Sequence, residues 1–255
     1  MVRLFRLSLL LFVSSIAHGY GQAPAVVNQP MQWVSVFANF KLAKHLSIYT
    51  DMHIRHIDDF QPMQNQYRIG LEYLVNDKFS FIPIGYVYTR NFIYGAQPML
   101  YENNERRIFQ QFLFRHKAGR FRFFQRVRFE ERFIQVHSRN AAGDVIDEGF
   151  DENYQFRIRY RINATCPLGA EVITPKKFFL TAYDELFISR GEKVSVSYPD
   201  QNRFFAGSGY QFTKGISANA GYIYQIIIKP SGQQQENNMG ALIQFFLNFD
   251  FTKAG

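Results

Sequence analysis

The 255-residue chain has one cysteine and one tryptophan, and beyond its first 21 residues it has no long apolar run. A lone cysteine excludes an intramolecular disulfide framework. Cys166 lies too far along the chain to be a lipid-anchored terminal cysteine, and it reads as an incidental thiol in a turn. No later stretch reaches the ~18 consecutive apolar residues of a membrane-spanning helix, so a helical membrane protein is excluded. Helical periodicity is almost absent. Catalytic signatures are absent too: there is no Gly-x-Ser-x-Gly, no His-Glu-x-x-His and no phosphate-binding glycine loop. His53 and His56 are three apart on a strand, hence on opposite faces, and make poor joint metal ligands. No catalytic residue, metal or cofactor is expected.

What the chain does have is aromatic residues and arginine in alternation. It carries 28 Phe and 15 Tyr, and its formal net charge is +8. The segment Arg120 to Ile134 shows the pattern most plainly. Phe121, Phe123, Val127, Phe129 and Phe133 fall on one face, with Gln125 and Glu131 as exceptions. Arg122, Arg126, Arg128, Glu130 and Arg132 fall on the other, with Phe124. A period of two is that of a β-strand. Such a basic chain raises the question of nucleic acid, but arginines interleaved with phenylalanine along strands argue against that partner.

The N-terminus reads as an export signal. Arg3 and Arg6 precede the apolar Leu7 to Ile16, and small residues follow at Ala17, Gly19 and Gly21. The expected division is residues 1–21 as signal peptide and 22–255 as one β-barrel. The alternative, a terminal membrane anchor, is disfavoured because roughly ten apolar residues are too few to span a bilayer.

Eleven alternating segments follow: Trp33 to Ala43, Leu46 to His56, Tyr67 to Tyr73, Phe79 to Asn91, Arg106 to His116, Arg120 to Ile134, Tyr154 to Asn163, Lys177 to Ile188, Asn202 to Phe212, Ile216 to Ile226 and Met239 to Phe251. Pro83 marks a bulge or break in its strand. Connections alternate between short ones, such as Asn76-Asp77-Lys78, and long polar ones, such as Phe92–Glu105 and Gln135–Asn153. That sorting puts the long loops at one end. Bacterial barrels usually have an even strand number. The expectation is therefore a single antiparallel transmembrane β-barrel of about twelve strands, with ten also open. Gln22 to Met31 would add a short strand or thread the lumen. Turns on the periplasmic side would be short and extracellular loops long.

Alternation alone does not separate a membrane barrel from a lipocalin-like soluble one. Strand length, loop sorting and the alternating terminal strand ending at Phe251 favour the membrane. The expected location is the cell outer membrane. The expected partners are membrane lipid and the barrel-assembly machinery that reads such a terminal strand. A small anionic solute is a further candidate.

The chain also resembles an uncharacterised family of bacterial outer-membrane β-barrels, a domain of unknown function. The resemblance rests on Glu105-x-Arg107-x-x-Gln110-Gln111, Arg126-x-Arg128-x-Glu130-x-Arg132, Asp184-Glu185-Leu186-Phe187 and Gln201-Asn202-Arg203 followed by Ala206-Gly207-x-Gly209-Tyr210. It spans Trp33 to Phe251 and implies a fold and a location but no activity.

With apolar faces outward, Arg126, Arg128, Glu130, Arg132, Arg157, Arg159 and Arg161 point into the lumen. Asp51, Glu72, Glu185 and Arg203 are expected there too. The first expectation is a structural Arg/Glu lattice, since buried charges must be paired. The alternative is a narrow anion-preferring pore or uptake channel, since rings of arginine favour anions. A second alternative is a lipid-modifying enzyme, but Ser47 with His53 and His137 with Ser138 form no recognisable nucleophile pair. Asp144, Asp147, Glu148, Asp151 and Glu152 make an acidic loop, read as solvated, with a divalent cation as the alternative.

Overall fold

The structure is a computed structural model that describes residues 24–95, 101–150, 153–194 and 199–253. The expected signal segment lies outside those residues, as do Asp151 and Glu152. Thirteen strands follow in order: β1 (Ala25–Ala43), β2 (Leu46–His56), β3 (Pro62–Asn76), β4 (Phe79–Asn91), β5 (Asn103–Ala118), β6 (Phe121–Ile134), β7 (Val136–Arg139), β8 (Val145–Gly149), β9 (Tyr154–Pro167), β10 (Lys177–Arg190), β11 (Gln201–Gln211), β12 (Ile216–Ile228) and β13 (Gln234–Asp250). No helix among the described residues is long and apolar enough to cross a membrane.

Eleven strands close into one barrel, in the order β1-β13-β12-β11-β10-β9-β6-β5-β4-β3-β2. β7 and β8 pair with each other in the long loop between β6 and β9. The expected twelfth strand does not form. Ala25 to Met31 instead extends β1, which pairs parallel to β13 from Ala25↔Gln234 to Lys41↔Asp250. Parity explains the parallel seam. With neighbours antiparallel around an odd ring, the first and last strands run the same way. β13 also starts five residues earlier than expected and ends at Asp250, leaving Phe251 in a terminal 3-10 turn.

Local chemistry sets the ends of the strands. Asn76 Oδ1 accepts the backbone N–H groups of Lys78 and Phe79, which turns β3 tightly into β4. Gly119 takes φ +58° in the two-residue turn from β5 to β6, a conformation glycine adopts without steric cost. Pro83 sits where the β4–β5 register shifts, between Ile82 and Gly85. The connection Ile57 to Asn65, expected to be long, is shortened by β3, which begins at Pro62; only Ile57 to Gln61 remains between β2 and β3.

Wall strands run from 11 residues in β2 to 19 in β1, enough to cross a bilayer at a tilt, which takes ~9–11. Their outer face is exposed and apolar, as with Tyr67, Ile69, Leu71 and Tyr73 of β3 and Phe204 of β11. The inner face is buried and rich in charge. Glu131, expected on the outer face near the rim, lies three residues from the end of β6 at the long-loop side, opposite Ile108 and Phe156.

Candidate functional site

Alternation carries all ten arginines and glutamates expected in the lumen, and Asp51, to the inner face. Register then sets a problem. Across the β6–β9 pair, Arg126 lies opposite Arg161 and Arg128 opposite Arg159. Like charges directly opposite are destabilising. Carboxylates from other positions resolve the conflict. Glu185 on β10 accepts from Arg126 Nη2 at 2.5 Å, Arg159 Nη2 at 2.8 Å and Arg203 Nη1 at 3.3 Å. Glu130 accepts from Arg157 Nη2 at 2.5 Å and Arg159 Nη1 at 2.7 Å, with Arg128 Nη1 at 3.6 Å. Glu105 binds Arg107 at 2.6 Å and Arg132 at 2.5 Å. Asp51 pairs with Arg68. Glu105, Glu130 and Glu185 are hubs, and the ion pairs together involve seven strands, β2, β3, β5, β6, β9, β10 and β11.

Aromatic rings fill the gaps between the guanidiniums. Arg128 lies 4.7 Å from the Phe109 ring centroid, and Arg159 lies 4.5 Å from that of Phe187. Phe109 lies flat on the inner wall because Gly85 faces it. A Cβ built on Gly85 would meet the ring carbons at 2.2 Å.

The lattice is strongly cationic. Asp51, Glu105, Glu130 and Glu185 serve Arg68, Arg107, Arg126, Arg128, Arg132, Arg157, Arg159 and Arg203. Arg55 and Arg161 bring the count to ten arginines against four carboxylates, and neither forms an ion pair with a described residue. Arg55 lies 3.9 Å from the Trp33 ring centroid, and Arg161 lies 3.5 Å from that of Tyr183.

One polar chain was not read from the sequence. Ser35 Oγ lies 2.7 Å from His53 Nδ1, and His53 Nε2 lies 3.0 Å from Asp51 Oδ1. The expected partner, Ser47, is not the serine that His53 meets. The signal was available, because alternation in β1 and β2 turns Ser35, Asp51 and His53 to the same side. The three residue types are those of a hydrolytic triad. However, Ser35 is fully buried, and Asp51 is also held by Arg68 and Tyr49. With no space beside its hydroxyl, Ser35 cannot meet a substrate carbonyl.

Across the lumen the wall has no arginine on β1, β12 or β13 and carries an apolar cluster among polar residues such as Ser35, Gln225, Asn238 and Gln244. Met31, Trp33, Tyr183, Phe205, Ile223 and Leu242 form a buried cluster on β1 and β10 to β13. Tyr94, from the loop after β4, packs into it and donates a hydrogen bond to Glu236 at 3.1 Å. Among the described residues, two cavities lie in the lumen. The upper one, about 540 Å³, opens among long-loop residues such as Asn153, Asp200 and Lys229. The lower one, about 420 Å³, is lined by Glu72, Arg115 and Asn248 near the short turns. Both are bordered by Phe37, Arg126, Arg161 and Gln244, which form a waist between them.

The acidic loop satisfies itself. Asp144 takes the side chain of Asn140, and Glu148 takes that of Ser138. Asp147 accepts from the Gly149 N–H and from Gln135, which holds its carboxyl below the usual range. Among the described residues, no group of three His, Cys, Asp or Glu is placed to hold a metal ion.

No curated protein and no solved structure matches the chain. A family match covers residues 31–236, from β1 into the start of β13, and includes every lattice residue named above. The chain therefore belongs to the family described as Protein of unknown function (DUF2490).

Proposed function

We propose that the protein is an outer-membrane β-barrel that forms a narrow, anion-preferring passage, with the arginine–glutamate lattice as its charged wall. The observation that carries this reading is the inverted distribution of polarity. The outer face presents exposed Tyr, Ile, Leu and Phe, while arginines with too few carboxylates line the interior. Lipid offers no hydrogen-bond partner to the backbone, and a closed sheet needs none. In a pore, excess arginine favours anions over cations. The two cavities that meet at Phe37, Arg126, Arg161 and Gln244 supply the route. In this reading the first 21 residues direct export, and the alternating β13 with Phe251 presents the chain to the barrel-assembly machinery. No catalytic step is assigned, because the only serine hydrogen-bonded to His53 is sealed from both cavities.

A second reading has its own support. Arg128 and Glu130 are fully inaccessible, so the lattice also suits a barrel closed at mid-height and braced by its charges. Planar-bilayer recording of the refolded protein separates the two. A passage gives discrete channels whose reversal potential in a salt gradient reports anion preference. Arg161→Gln should reduce that preference, and since Arg161 forms no ion pair with a described residue and the glutamine adds no charge opposite Glu185, the fold should survive. Folded barrel that inserts without conductance overturns the passage and leaves the braced barrel.

A further inference from the structure

The upper cavity has a feature that the lattice does not explain. Arg55 is 7% exposed, its side chain makes no hydrogen bond or ion pair with any described residue, and its Nε is buried with no partner. A guanidinium has five N–H donors. Burying one unpaired costs far more than leaving it in water. Its neighbour Arg203 reaches Glu185 through Nη1 only and also leaves its Nε unpartnered. Both guanidiniums lie against the same ring. Arg55 is 3.9 Å and Arg203 4.7 Å from the Trp33 centroid. Trp33 is held in place by its Nε1, which donates to His53 at 3.3 Å. Arg161 lines the same cavity from the waist.

We propose that this corner of the upper cavity is a binding site for a phosphate-type oxyanion, clamped by Arg55 and Arg203 beside Trp33 and faced by Arg161. Planar guanidinium forks match the oxygens of phosphate in pairs. One fork without a carboxylate, and a second held by Glu185 through Nη1 alone, suit a doubly charged ion better than chloride, which offers a single acceptor atom. Ten arginines against four carboxylates leave an excess that a bound anion partly neutralises. The cavity, about 540 Å³, has room for a phosphate attached to a small organic group as well as for the free ion. The proposal deepens the anion-preferring reading by naming the ligand class, but binding does not require conduction.

Trp33 is the only tryptophan in the chain, so intrinsic fluorescence reports on this corner alone. The full barrel in detergent is titrated with inorganic phosphate at constant ionic strength, with chloride as the compensating ion. The expected result is a saturable change in Trp33 emission. In Arg55→Gln the midpoint should move at least tenfold to higher phosphate, while Arg115→Gln in the lower cavity should leave it in place. Arg55→Lys keeps the charge but loses the fork; it gives a second test if the glutamine variant fails to fold, and it should also weaken binding. Glycerol phosphate run in parallel separates free phosphate from a phosphomonoester as the preferred form. No saturable response to either phosphate compound overturns the proposal. So does an equal response to chloride, or an unchanged midpoint in a folded Arg55 variant. A barrel that binds phosphate without conducting sinks only the passage, and one that conducts without binding sinks only this site.

Discussion

Two arcs of the barrel face each other across the lumen and are made of different material. β5, β6 and β9 turn Arg, Glu and Gln inward, while β1, β12 and β13 turn Met31, Trp33, Ile223 and Leu242 inward. The charged arc is held by geometry that has to be right. Its guanidiniums are placed opposite one another by register, and only the hubs Glu130 and Glu185 reconcile them. The apolar arc is held by burial, which tolerates small shifts. The contrast explains the position of the cavities. The lattice fills its own side, so open space remains along the seam, where Phe37 and Gln244 face Arg126 and Arg161.

The largest expected effect tests the charged arc. Glu185→Gln keeps the shape of the side chain but leaves Arg126, Arg159 and Arg203 without their shared carboxylate. Removing one partner of a buried ion pair costs about 3–5 kcal/mol, read as a lower urea midpoint for the refolded barrel. On the apolar arc, Leu242 is fully buried, and Leu242→Ala should cost about 2–5 kcal/mol. A lower value within that range is expected, since Trp33 and Tyr183 of the same cluster line the upper cavity, from which water can reach the space left. If Leu242→Ala proves the more damaging, burial rather than the lattice holds the barrel, and the comparison fails.

The two arcs were not equally legible in the sequence. Arg126-x-Arg128-x-Glu130-x-Arg132 shows period two with a clear change of polarity, so inward placement followed from alternation alone. β10 carries large apolar residues on both faces: Phe179, Tyr183 and Phe187 turn inward beside Thr181, Glu185 and Ser189, while Phe178, Leu180, Leu186 and Ile188 turn outward. Alternation gives a weak signal there, and it does not reveal the apolar arc. The strand number, expected to be about twelve, is eleven for a related reason. Ala25 to Met31 has the composition of a separate short segment, and only its pairing with β13 shows that it continues β1. The hubs were legible as inward residues but not as hubs. Which arginine meets Glu185 depends on contacts between β6, β9, β10 and β11, and no local pattern encodes those.

The smallest expected effect comes from the residue beside Glu185. Asp184 points the opposite way, to the outer face, where its two oxygens take Asn202 Nδ2 at 3.0 and 3.2 Å. It lies in register with Ile162 and Phe204, both apolar and outward. A carboxylate there gains one neutral partner and no arginine, and in a lipid-facing setting its charge is a cost that depends on depth. Asp184→Asn removes that charge and preserves a polar group for Asn202. In lipid vesicles it should leave the urea midpoint unchanged or raise stability by under about 1 kcal/mol. The same chemical change, carboxylate to amide, would then have opposite signs at adjacent positions. That difference would follow from the side of the wall each residue faces. A loss at Asp184 as large as the one at Glu185 would mean that the outer face at this height meets a protein partner or water instead of lipid.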